Sequence, residues 1–261
     1  MMQVIGVQLD MQWEEVEANR RQVVDLLAEE DVPPGSLIVL PEMFEHGFSM
    51  NARKTSQESD PSSEEFLRNL AKQYDSAVLA GIVGPLDAKG VASNLAVAFA
   101  PDGAELVRYR KMQPFSLAGE RESYGRGDSW KTFQWQGISI APFICYDLRF
   151  PELFRPAAIA GAELIIVIAC WPAVRSEHWV RLLQARAIEN LAYTFGVNRT
   201  GNEPGLTFDG RSCAFDYLGR PLFEADPQPQ VFGVDIDMEE ARQWREKFPA
   251  LRDIRFPIQI G

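Results

Sequence analysis

Three residues of this 261-residue chain stand where an apolar run gives way to polar sequence: Glu42, Lys111 and Cys145. Glu42 follows LIVL (37–40) and Pro41. Proline has no amide donor and ends a regular strand ladder, so the carboxylate sits at a strand edge. It reads either as a general base on a rigid scaffold or as a surface carboxylate in a loop. Lys111 closes the basic run Arg108-Tyr109-Arg110-Lys111, and Met112, Pro114 and Phe115 then turn the chain inward. A lysine drawn into an apolar site needs an anion beside it; the ordinary alternative is a solvated basic face. Cys145 ends the apolar stretch FQWQGISIAPFIC (133–145) just before Tyr146-Asp147. A strand end before a helix lies at the rim of a sheet, where α/β folds build their sites. The competing reading, a small inert core residue, suits Cys170 and Cys213. A thiol, a carboxylate and a buried cation are the parts of nucleophilic catalysis.

The elements that must position these groups alternate along the chain. VIGVQL (4–9), LIVL (37–40), AVLAGIVG (77–84), SNLAVAFA (93–100) and ELIIVIA (163–169) read as buried strands, with further strands at 193–198, near 211–217 and at 231–236. Apolar residues at helical spacing mark helices at 14–30, 62–74, 151–161, 177–191 and 238–247. PDG (101–103) is a turn into ELVRYRK, and 133–145 reads as a hairpin. Helices after buried strands predict covered sheets, and the hairpins make those sheets mixed. No linker or repeat divides the chain, so residues 1–261 form one domain.

Composition narrows the function. A net charge of −11 opposes a phosphate backbone, so nucleic acid is not an expected partner. No apolar run is long enough for a transmembrane helix, and MMQVIGVQLD has no signal-peptide pattern, so no membrane partner is expected. Three scattered cysteines suit a reducing cytoplasm. Two histidines and no CxxC or HxxxH give a zinc site little to work with.

Taken together, LPE (40–42), YRK (109–111) and CYDLRFPE (145–152) resemble the motifs of the nitrilase superfamily of carbon–nitrogen hydrolases. Trp171-Pro172, ARAIEN (185–190) and GVNRTG (196–201) extend the likeness nearly end to end. PEMFEHGFSM (41–50), CWPAVRSEHW (170–179) and REKFPALRD (245–253) resemble the bacterial omega-amidase-like members. One position departs: many members carry His two residues after the lysine, where this chain has Gln113.

The resemblance implies a single-domain four-layer α-β-β-α sandwich of two mixed sheets, commonly paired as a homodimer. It also implies amide hydrolysis without metal or cofactor. Cys145 would be the nucleophile, Glu42 the proton carrier, and Lys111 with the Tyr146 N–H the oxyanion donors; a cation near the thiol favours its thiolate. Glu120, in AGERESYG, resembles a second acidic residue of the family and would orient Lys111 or the substrate; otherwise it is an exposed loop carboxylate. The implied substrate is the terminal amide of a small acid such as 2-oxoglutaramate. Arg149 or Arg175 would hold its carboxylate, and Phe44, Tyr146 and Trp171 would form a narrow apolar wall. For either arginine the alternative is structural: an ion pair of Arg149 with Asp147 or Glu152, or a solvated Arg175. Nitrilase, N-carbamoyl amidohydrolase, other aliphatic amidase and N-acyltransferase activities are the alternatives within the superfamily. Outside it stand a Cys-His hydrolase using His178 or His46 and a binding module without turnover.

Overall fold

A computed structural model of the chain describes residues 1–56 and 62–255. Fourteen strands are described, in two six-stranded sheets and one small hairpin. The first sheet contains β1 (Met2–Gln8), β2 (Leu37–Val39), β3 (Ala77–Val83), β4 (Asn94–Phe99) and β5 (Glu105–Arg110). The second contains β6 (Phe133–Trp135), β7 (Ile138–Ile144), β8 (Leu164–Ala169), β9 (Tyr193–Asn198), β12 (Cys213–Phe215) and β13 (Pro221–Glu224). β10 (Thr200–Glu203) and β11 (Leu206–Asp209) pair only with each other, and β14 (Gln230–Ile236) returns to the first sheet.

Each large sheet has three parallel strands at its centre and antiparallel strands outside them. The orders are β14-β1-β2-β3-β4-β5 and β13-β12-β9-β8-β7-β6, with β1-β2-β3 and β7-β8-β9 parallel. The parallel strands carry unbroken apolar runs because both their faces are buried. Along β1, Val4 faces the second sheet, while Ile5 and Val7 join the core under the helices. The helical layer on the first sheet comes from α1 (Val16–Ala28) and α3 (Ser62–Gln73), through Val23, Leu27, Leu67 and Leu70. The second sheet is covered by α5 (Pro151–Ile159) and α6 (Ser176–Asn190), through Leu153, Phe154, Trp179 and Leu183. Between the sheets, Val39, Leu79, Ala96 and Tyr109 meet Ile166 and Phe195 in one continuous core. The result is the four-layer α-β-β-α sandwich that the sequence implies. Two single-turn helices, α2 (Ala52–Thr55) and α4 (Glu120–Ser123), and a final helix, α7 (Met238–Lys247), complete the α-helices among the described residues.

The packing between sheets is close enough to require glycine. A Cβ on Gly6 would collide with the rings of Phe232 and Phe195, two aromatics that stack at 5.1 Å between centroids. Most sequence-derived elements match to within a few residues. The β10–β11 hairpin and β13 are additions, because TGNEPGLTFD alternates too weakly and too briefly to announce a strand pair. Among the described residues no helix is long and apolar enough to cross a membrane. The apolar C-terminal segment FPIQIG lies outside the described residues.

Candidate active site

Glu42 is placed by the way β2 ends. Pro41 stops the ladder, and the chain crosses directly onto β3, where Gly81 N–H donates to the Pro41 carbonyl at 3.0 Å and the Gly81 carbonyl accepts from Phe44 N–H at 3.1 Å. A Cβ on Gly81 would stand 2.5 Å from the Glu42 Cα, so only glycine allows this approach. Met43 follows with φ of 46°, which leaves the Glu42 side chain fully buried between the sheets.

Lys111 follows the last residue of β5. Its backbone is held from both sides, its N–H donating to Asn94 and its carbonyl accepting from Gly127, at 3.0 and 2.8 Å. The side chain is fully buried, and its ammonium donates to Glu42 Oε1 at 2.8 Å and to both oxygens of Glu120 at 2.9 Å. Glu120 also accepts from Phe115 N–H at 2.5 Å and is itself fully buried. It is therefore no loop carboxylate in solvent but the second anion of a buried Glu–Lys–Glu cluster.

Cys145 comes from the other sheet. β7 ends at Ile144, and Cys145 takes a left-handed backbone with φ of 46° as it opens a short 3-10 helix, Cys145–Arg149. A non-glycine residue in that region is strained, and such strain persists only where surrounding contacts enforce it. Asp147 supplies the enforcement. Its carboxyl accepts from Ile144 N–H at 3.0 Å, Tyr109 Oη–H at 2.7 Å and Gln113 N–H at 2.8 Å. One buried side chain thus ties the Cys145 turn to the segment that carries Lys111. Burial pushes the Asp147 carboxyl up to about 7, against these three donors.

Cys170 closes the arrangement. Its N–H donates to Glu42 Oε2 at 2.8 Å, its thiol to the Glu42 carbonyl at 3.2 Å, and its own carbonyl lies 3.8 Å from the Cys145 sulfur. The Cys170 side chain is the buried core residue that the sequence suggests, and burial holds its thiol well above the ordinary range; what it adds to the site is the backbone N–H that orients the carboxylate. The charge of Glu42 also acts on the Cys145 thiol.

The electrostatics reverse one expectation. Burial alone would lower Lys111, but Glu120, then Glu42, hold its ammonium charged well above the ordinary lysine range. Burial, followed by the charge of Glu42, pushes the Cys145 thiol well above its ordinary value, and Lys111 does not offset them. The resting nucleophile is a neutral thiol and not the thiolate that a nearby lysine suggests. Its proton must leave during attack, and the neighbouring Glu42 carboxylate is the candidate base.

A cavity of about 280 Å³ opens onto Cys145 and is lined by Phe48, Tyr146, Arg149, Trp171, Arg175 and Leu206 among others. Of the wall residues read from the sequence, Tyr146 and Trp171 are present and Phe44 is not. Phe44 is fully buried on the other face of the first sheet, its ring 5.9 Å from that of Phe66, and Phe48 takes the wall position. The left-handed turn at Met43 directs Phe44 away from the site. Arg149 stands over Trp171 at 4.9 Å and hydrogen-bonds His178 Nδ1 at 2.9 Å, while Arg175 stands over Phe115 at 5.4 Å. The structural alternative for Arg149 fails, since Asp147 is engaged elsewhere. Among the described residues, neither arginine has a carboxylate partner. His178 pairs with Arg149, and His46 is buried beside Glu14 and Arg20 with its pKa lowered to about 4 by desolvation.

Residues 6–246 match the carbon-nitrogen hydrolase family. The chain belongs to that family. It is 38% identical to Omega-amidase YafV of Yersinia enterocolitica, over 95% of this chain and 94% of the relative. It is 32% identical to 2-oxoglutaramate amidase of Bacillus subtilis, over 88% of this chain and 89% of that protein. Its fold superposes on XC1258 of Xanthomonas campestris, a CN-hydrolase superfamily protein solved with an arsenic adduct in its active site. That likeness has a TM-score of 0.92 and 30% identity, covering 100% of this chain and 99% of the other.

For a carbon–nitrogen hydrolase, the buried cluster contains more than the motifs disclose. Asn94 donates its side-chain amide to both Glu42 and Glu120, yet it reads in sequence as the unremarked head of an apolar strand. A polar residue opening a fully buried run was the available signal. Asp147 has a similar signal, a carboxylate two residues after the cysteine that the chain must bury or solvate.

Proposed function

We propose that this carbon–nitrogen hydrolase releases ammonia from the terminal amide of a small carboxylic acid, of which 2-oxoglutaramate is the type. The supporting observation is a small cavity that ends on Cys145 and carries two arginines without carboxylate partners. Arg149 is drawn below the usual guanidinium range by burial and then by the charge of Arg175. Two like charges facing one space are relieved by an anion, and a planar fork binds a carboxylate bidentately. The omega-amidases among the relatives fit the same reading.

In the reaction, the Cys145 sulfur attacks the amide carbon as its proton passes to Glu42. The oxyanion takes hydrogen bonds from Lys111 Nζ and Tyr146 N–H, each donor of this kind being worth about 3 kcal/mol of barrier. Collapse breaks the C–N bond, and Glu42 returns the proton to the departing ammonia. Water then attacks the thioester, gives a proton to Glu42, and Cys145 leaves and is reprotonated. Glu120 orients Lys111. Through every step the cluster keeps the same net charge, because the oxyanion appears as Glu42 becomes neutral.

Kinetics on charged and neutral amides test the substrate assignment. Arg149→Leu and Arg175→Leu should lower kcat/KM for 2-oxoglutaramate about 10- to 100-fold, the loss of a charged hydrogen bond, with little change for a neutral short amide. Equal losses on both would remove the arginines from carboxylate recognition. Wild-type protein that hydrolyses nitriles or N-carbamoyl compounds, but no omega-amide, would move it to another activity of the superfamily.

The active unit is proposed as a homodimer, on the family resemblance. Exposed Ile159 and Ile188, on the two outer helices of the second sheet, are compatible with a covered surface there. Light scattering of fully active protein at micromolar concentration should give twice the chain mass; a monomeric mass would refute the assignment. Three free cysteines support a reducing cytoplasm as its compartment, which cell fractionation checks.

A further inference from the structure

We infer that Asn94 is a positioning residue of the hydrolytic cycle, holding Glu42 and Glu120 in place while Lys111 transfers a hydrogen bond to the oxyanion. The inference rests on the roles proposed for Glu42, Lys111 and Cys145, and not on the identity of the substrate.

The argument begins with a count of hydrogen-bond donors. Lys111 has three N–H groups, and its contacts in the resting site go to Glu42 Oε1 and the two oxygens of Glu120. An oxyanion therefore finds no idle proton on the ammonium. To stabilise the tetrahedral state, Lys111 must withdraw a donor from a carboxylate. A buried carboxylate that loses a donor is free to rotate or to share a proton with its neighbour, and either event disables the base.

Asn94 fills this gap. Its Nδ2 donates to Glu42 Oε1 at 2.7 Å and to Glu120 Oε1 at 2.9 Å, two of the three oxygens that Lys111 holds. The two contacts use both amide hydrogens. They also fix the amide orientation, because the flipped form would aim a carbonyl at two carboxylates. The cost is visible in the structure: Asn94 Oδ1 is buried without a hydrogen-bond partner. An orphaned buried acceptor destabilises the fold, and a neutral side chain retained there despite it points to the two donors as its purpose. The backbone reinforces the placement, since the Asn94 carbonyl accepts from Lys111 N–H at 3.0 Å. Residue 94 therefore contacts all three charged members of the cluster. No other side chain donates to both carboxylates except Lys111 among the described residues.

A graded series at this position separates positioning from folding. Asn94→Ser keeps one donor, Asn94→Ala keeps none, and Asn94→Asp adds a third carboxylate. Expected kcat falls in that order, about tenfold for Ser and about a hundredfold for Ala, with KM for any amide substrate within about threefold of wild type. Iodoacetamide alkylation of Cys145 at neutral pH should slow in the same order, because it needs the thiol proton removed but no amide substrate. Melting temperature is followed in parallel, and Ala, which removes the orphaned acceptor, should melt close to wild type. A folded Asn94→Ala with kcat and alkylation rate near wild type overturns the inference, as does a loss confined to KM. If no amide is turned over by wild type, the alkylation series still decides the point, so failure of the substrate reading is told apart from failure of this one.

Discussion

Cys145→Ala is expected to release no detectable ammonia from any amide, a loss of about five orders of magnitude or more in kcat, while melting within a few degrees of wild type. The size of the effect follows from the absence of a second nucleophile in position. Among the described residues the cavity is lined by one other thiol, Cys170, whose sulfur donates to the Glu42 carbonyl. The mild effect on stability follows from geometry. Alanine removes one sulfur from a residue that is 8% exposed and leaves the Asp147 contacts that hold the turn untouched. Mass spectrometry of wild type with an amide should capture an acyl group on Cys145 alone. A Cys145→Ala protein with full turnover, or acylation on Cys170, would end the assignment.

The second large effect is a pattern across variants. Glu42→Gln and Lys111→Met should each abolish nearly all turnover, by about three orders of magnitude or more, and the double variant should be little worse than either. The reason is that the two groups form one device. Glu42 cannot take the Cys145 proton in a defined geometry without the ammonium on its Oε1, and Lys111 has no fixed direction without the carboxylates around it. Stability should divide the two variants where activity does not. Glu42→Gln leaves Lys111 paired with Glu120, whereas Lys111→Met leaves two buried carboxylates facing each other and should cost about 3–5 kcal/mol. Two moderate defects that multiply in the double variant would show that the residues act independently. Thermal melts of the four proteins check the second half of the claim, and a Lys111→Met variant as stable as wild type would contradict it.

The sequence by itself determined the parts that leave a one-dimensional mark. Buried parallel strands need apolar residues on both faces, so LIVL and ELIIVIA announce themselves. Proline after LIVL and polar residues after FIC mark where those strands stop, which is where Glu42 and Cys145 sit. Lys111 is legible because the basic run before it meets an apolar turn after it. Family likeness of the motifs then carried the layered architecture, which periodicity could not have supplied.

Tertiary structure decided everything that depends on which strand ends converge. Glu42 and Lys111 rise from one sheet and Cys145 from the other, so no spacing along the chain discloses their hydrogen bonds. Asn94 and the Cys170 N–H enter the site for the same reason: the strand order places β4 beside β3 and the end of β8 across from the end of β2. Phe44 and Phe48 show how finely this acts. They stand four positions apart in PEMFEHGF, but one left-handed residue at Met43 sends Phe44 to the core under the helices while Phe48 reaches the cavity. The charge state of the nucleophile was likewise out of reach of the sequence. A lysine near a cysteine suggests a thiolate, and only the burial of the thiol, together with the carboxylates that already satisfy that lysine, keeps the proton on sulfur until the substrate arrives.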